Sequence, residues 1–231
     1  DDDDDDDQRK SSHVVCFGTT KQEEETQVAV ARPDPNILIS AKTDDEQKLA
    51  VLGVFGGIGV GTLVLFQLLG GLESILPEGW FEFIRLYLWS LPMGLIFTAI
   101  GATHFVTPKA YLGIVPPKGT WGGLWQVPAP GAEALGWTYE EYHVYWSGVC
   151  EVVGGLWLIA AALGGFSTEI PAFLLGCLVM AVTPANTYMY THDALMDDPN
   201  IPPVPYPTGH YIRGAFQMVL LALFFKISFH S

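Results

Sequence analysis

The sequence predicts an all-α integral membrane protein with five spans. Three observations carry that reading. The chain is 49% hydrophobic and only 16% charged, and its mean hydropathy is +0.29. That balance suits a membrane domain with a polar tail better than a soluble globule. The apolar residues fall in five runs, each near the ~20 residues that a helix needs to cross the hydrocarbon core. Prolines, glycines and tryptophans fill the intervals between runs, the composition of turns and interfacial segments.

Residues 1–47 read as an acidic, largely irregular tail. Asp1 to Asp7 is an unbroken acidic run, and Glu23, Glu24 and Glu25 continue the theme. Blocks of like charge repel and stay solvated. Residues 1–48 hold 14 acidic and 6 basic side chains, in a chain of net charge −14. With no basic stripe, nucleic acid is not an expected partner. The chain begins at Asp1 rather than Met, which reads as a mature product or a fragment, with no signal peptide in view. Short apolar pieces at Val14–Phe17 and Ile37–Ile39 are candidates for docking.

Residues 48–72 form an extra, glycine-rich span. Gly53, Gly57 and Gly61 fall four apart, so they share one helix face and make it flat enough for another helix to approach closely. Two uses stand side by side: packing within its own bundle, or docking on another subunit. Residues 83–229 then form a four-helix membrane domain. Its first span, 83–105, starts at Arg85, is expected to kink at Pro92, and ends in Ala102-Thr103-His104-Phe105.

The insertion at 107–141 carries five prolines and Trp121, Trp125 and Trp137. Prolines deny it a regular helix, and the aromatic content suits an ordered cover at headgroup level. The next span is Tyr142 to Gly165, followed by a short turn, so 171–190 is its antiparallel neighbour. The last span covers 210–229. Lys42, Lys48, Lys109 and Lys118 then share one side, which puts the N-terminus in the cytoplasm or an organellar stroma.

Glu151 lies well inside its span. A carboxylate at such depth costs about 2.5–3.5 kcal/mol on insertion scales and needs a partner, a proton or water. Alternating the spans brings His104, Asn186, Arg213 and Gln217 toward the same leaflet as Glu151. Glu151 and Arg213 are the expected charge pair, with Gln217 or a water bridging, and Ser147 is one turn away to support the carboxylate. Such a cluster can fix helix register, or it can be a proton, quinone or ligand site.

His104, His143, His192 and His210 all fall near the N-terminal side. A single neutral imidazole can ligate a chlorophyll magnesium or a haem iron without any motif. No histidine pair has metal spacing, and Cys16, Cys150 and Cys177 form no CxxC, so no dedicated metal centre is expected. Cys150 and Cys177 sit at different depths in neighbouring spans, which argues against a disulfide. Nucleotide-binding and hydrolase motifs are missing from the sequence.

Four pieces carry a family resemblance: GATHFVTPKAYLGIVPP at 101–117, YWSGVCEVVGGLWLI at 145–159, AVTPANTYM at 181–189 and HYIRGAFQMVLLAL at 210–223. In this order they resemble the DoxX-like family of small integral membrane proteins, over roughly 83–226. That resemblance implies a DoxX-like four-helix bundle, here with one additional N-terminal transmembrane helix. It also implies that His104, Glu151, Asn186, Arg213 and Gln217 are its characteristic polar positions.

The function expected is a non-catalytic accessory subunit of a membrane redox complex, with a photosystem or light-harvesting assembly in a chloroplast thylakoid as the specific context. It would contact the bilayer, neighbouring subunits through the first helix and the Trp-rich loop, and chlorophyll or carotenoid. The alternatives are a quinone-linked oxidoreductase subunit and a small lipid or solute carrier.

Overall fold

A computed structural model of the 231-residue chain describes residues 32–229. The acidic runs, Val14–Phe17, Cys16, His13 and His230 lie outside the described residues. Five helices are long and apolar enough to cross a membrane: α1 (Asp44–Ile75), α2 (Trp80–Val106), α3 (Tyr139–Gly164), α4 (Glu169–His192) and α5 (Thr208–Ser228). Each expected apolar run falls on one of them, overrunning it only by Gly165 in α3 and Phe229 in α5. The helices start before the apolar runs because caps, not hydropathy, set their beginnings. Thr43 and Glu46 close a capping box at the start of α1, and Thr138 and Glu141 do so for α3.

Pro92 does not simply kink α2. It lies just past a π-helical stretch, Ile84–Ser90, in which the Leu91 N–H reaches back to the Leu86 carbonyl. A proline has no N–H for the carbonyl four residues back, and widening the preceding turn absorbs that mismatch. The same stretch aims Arg85 inward. Arg85 is buried, forks onto Glu82 at 2.7 and 2.8 Å, and donates to Thr168 Oγ1 at 2.8 Å. It therefore ties α2 to the turn between α3 and α4.

The α2–α3 pair is held backbone to backbone. A Cβ at Gly94 would meet the Gly155 carbonyl at 2.9 Å, and one at Gly155 would meet the Gly94 carbonyl at 2.7 Å. Seven residues along each helix the pattern repeats. A Cβ at Gly101 would meet the Gly148 carbonyl at 2.9 Å, and one at Gly148 would meet His104 Cβ at 2.6 Å. Heptad-spaced glycines on antiparallel helices let dispersion contacts replace a hydrophobic drive that lipid does not supply.

The core below this pair is apolar, built from Phe97, Leu158, Leu175, Val179, Leu221 and Phe224. Helix α1 stands outermost and packs on α5. Its glycine strip runs along α5: Gly61 sits against Met218, whereas Gly53 and Gly57 are exposed and border open space beside α5. At the far end Lys226 pairs with Glu73 at 2.5 Å, under the Phe66 and Phe81 rings.

Candidate functional site

The 107–138 segment folds over the N-terminal side of the bundle as a cover. Trp121 is buried to 1% exposure and donates from Nε1 to Thr191 Oγ1 at 2.9 Å. Its φ of +56° is in the left-handed region, which a bulky side chain adopts only when its surroundings enforce it. Gly122 supplies the close approach. Its φ is +62°, and a Cβ there would meet the Asp44 carbonyl at 2.8 Å. Trp125 donates to the Tyr139 hydroxyl at 2.9 Å. The two tryptophans are thus spent on the chain's own bundle.

Under this cover is a cavity of about 200 Å³. His104, Glu151, Asn186 and Arg213 all line it, together with His143, Trp125 and Trp146. The convergence expected from span alternation is therefore present for four of the five polar positions. Gln217 stands behind the wall and lines a second cavity instead.

The pairing within the cluster differs from the expected one. Arg213 Nη2 donates to Asn186 Oδ1 at 2.6 Å, Asn186 Nδ2 donates to Gln217 Oε1 at 3.2 Å, and Gln217 Nε2 donates to Thr183 Oγ1. Thr183 passes the chain on to the Val179 carbonyl at 2.9 Å. Every link runs donor to acceptor and ends on backbone. Arg213 is thereby occupied by an amide, and no Arg213–Glu151 ion pair forms among the described residues. Pro184 sits beside this chain and, lacking an N–H, weakens the helix at the cavity wall.

Glu151 faces His104 instead, with Oε2 3.6 Å from Nε2 and both side chains under a tenth exposed. His104 Nδ1 lies 3.0 Å from the Val144 carbonyl, which can only accept, so the Nδ1 proton is committed there. Nε2 then faces the carboxyl, and at 3.6 Å no hydrogen bond closes between them. Ser147 does not support Glu151. Its hydroxyl donates to the backbone carbonyls of His143 and Val144 and lies 3.3 Å from His104 Nδ1.

Two buried polar atoms at the cavity have no hydrogen-bond partner within the protein: Glu151 Oε2 and His143 Nε2. Trp146 Nε1 donates to His143 Nδ1 at 3.0 Å, so the neutral ring carries its proton on Nε2. The cavity wall therefore holds one unmatched N–H donor and one unmatched carboxyl oxygen. Leaving each unmatched costs about 1–3 kcal/mol.

His143 was placed by sequence among the pigment-ligand candidates, not in the cluster. The signal was in the chain: His143, Ser147 and Glu151 are four apart and share one face of α3. Of the other candidates, His192 Nδ1 is engaged with Thr191 Oγ1 at 2.8 Å, and His210 lines the second cavity. Cys150 and Cys177 are both free. Among the described residues no group of three His, Cys, Asp or Glu side chains could hold a metal ion.

Comparison with known proteins corrects the DoxX-like resemblance. The family model that matches is a domain of unknown function (DUF8561), over residues 93–228, and no DoxX family matches. The four quoted pieces are short, and their glycines and Pro-Ala-Asn are explained by close helix packing and the cavity wall. Such features recur in membrane bundles without common descent. No curated protein and no solved structure matches the chain. The match spans more than half of the sequence, and the chain belongs to the DUF8561 family.

Proposed function

We propose that this is an integral membrane protein whose bundle binds a quinone head group in the cavity walled by His104, His143 and Glu151. One observation carries the reading: Glu151 and His143, each with an unmatched polar atom (Oε2 and Nε2), line the same mostly apolar cavity. A quinone is a flat, neutral ring with two acceptor oxygens. One carbonyl accepts from the His143 Nε2–H. The other accepts from the protonated Glu151 carboxyl. Trp125 and Trp146 supply aromatic surface for the ring.

The relay from Arg213 to Thr183 is hydrogen-bonded at every link and ends on backbone, so it serves as scaffold. The half-matched Glu151–His104–His143 set is what a ligand would complete. This divides the polar cluster into a part that fixes helix register and a part that binds. Duroquinone tests the proposal, because a bound quinone quenches nearby indoles. Saturable quenching in the purified chain, weakened about tenfold in His143→Phe, is the expected result; quenching identical in the variant and the wild type contradicts it.

A second reading is supported by α1. Only 11% of its apolar window is buried, and Leu49, Leu63 and Leu68 are each more than 60% exposed. We propose that this face meets either lipid or another subunit of a membrane redox complex, for which the thylakoid, with the N-terminus toward the stroma, is the context proposed. Mild-detergent isolation of the native protein with an absorption spectrum tests it. Co-migrating subunits and chlorophyll or carotenoid bands support that context, and a colourless monomer removes it.

A further inference from the structure

A second cavity, of about 340 Å³, lies between α1 and α5. The Arg213–Asn186 bond separates it from the first, since both residues line both spaces. Its walls are bare at three points. A Cβ at Gly53 or Gly57 of α1, or at Gly214 of α5, would meet nothing within 4 Å. Open glycine surface on two facing helices leaves a flat slot, which fits a rigid planar body better than a branched one.

His210 stands at one end of the slot, in the first turn of α5. It is 8% exposed, and neither Nδ1 nor Nε2 has a hydrogen-bond partner within the protein. Ring contacts with Tyr190 and Tyr206, at 5.6 and 5.9 Å between centroids, hold it in place. A neutral imidazole offers one donor and one acceptor. Both are unmade here, and buried polar groups in native proteins are ordinarily paired.

We propose that this groove binds a rigid, flat, lipid-soluble alcohol, with its hydroxyl on His210 and its apolar body along Gly214, Gly57 and Gly53. Sterols and hydroxylated carotenoids share that chemistry. In this groove the hydroxyl donates to the bare ring nitrogen, a bond that an ether or ketone cannot make. From His210 to Met218 the slot runs roughly 12 Å along α5 at 1.5 Å per residue. It descends from the helix's first turn toward mid-span, so the polar end of the ligand sits at the interface and its body below.

The test uses the full chain in phosphatidylcholine nanodiscs with dehydroergosterol and zeaxanthin, each beside its O-methyl ether. The expected result is saturable binding of at least one alcohol, with its ether bound about tenfold more weakly. His210→Phe brings that alcohol down to the level of the ether, and Gly57→Leu removes both. Helix content and duroquinone binding are read in each variant, so loss of the alcohol is separated from loss of the fold or of the first cavity. Binding of dehydroergosterol alone assigns the sterol class, and binding of zeaxanthin alone assigns the carotenoid class. Equal binding of alcohol and ether, no saturable binding of either alcohol, or binding unchanged in both variants overturns the proposal.

Discussion

Glu151 of α3 and His104 of α2 face each other at 3.6 Å, with the His104 Nδ1 side tied to the Val144 carbonyl at 3.0 Å. The carboxyl oxygen that faces the imidazole is the one with no hydrogen bond. Glu151→Gln keeps the shape and offers an amide N–H to Nε2, but it removes the proton that can be shared with a ligand. Helix content is expected to stay at the wild-type level, while duroquinone binding weakens tenfold or more. Fluorescence quenching and circular dichroism on the same samples check this.

The glycine contacts make opposite forecasts for two sets of alanine variants. Gly148→Ala and Gly155→Ala push a methyl into His104 Cβ and the Gly94 carbonyl. Each is expected to destabilise by about 1–3 kcal/mol, the usual cost of overpacking. Gly59→Ala has open space around it and should be neutral or slightly stabilising. Unfolding midpoints in a mild detergent separate the two sets.

Trp121 bolts the cover down. Trp121→Ala deletes a fully buried indole and its bond to Thr191. A loss of about 3–5 kcal/mol is expected. The cover should also open before the bundle unfolds, seen as early hydrogen exchange in 107–138 with α2–α5 still protected.

Lys226 and Glu73 should behave as a pair. Glu73→Ala leaves the Lys226 side chain at 5% exposure with no counter-charge. A cost of roughly 2–3 kcal/mol is expected, below the ~3–5 typical of a fully buried pair, because Glu73 is itself partly exposed. Glu73→Leu with Lys226→Met should recover most of that. A double-mutant cycle by thermal unfolding measures the coupling.

The spans were legible because each is a long apolar run, and the leaflet of the polar groups followed from alternation alone. The partners of those groups were not. Depth along a helix says nothing about rotation around it, and rotation decides that Arg213 meets Asn186 while Glu151 meets His104. The eye-catching glycines of α1 turned out to border a groove, whereas Gly94, Gly101, Gly148 and Gly155 make the tight crossing. Seven-residue spacing on two separate helices identifies a contact only once the helices are known to be antiparallel neighbours. The sequence marked Trp121 as part of an ordered cover but not as its anchor, since a left-handed tryptophan is set by the fold around it.

The most direct test of the central claim is a map of where a photoreactive azidoquinone attaches to the purified chain in nanodiscs. Labelling confined to the α3 peptide holding His143 to Glu151 and to the Trp125 segment, and displaced by excess duroquinone, is the predicted result. Labelling of the lipid-facing side of α1 around Leu63, undiminished by duroquinone, contradicts it.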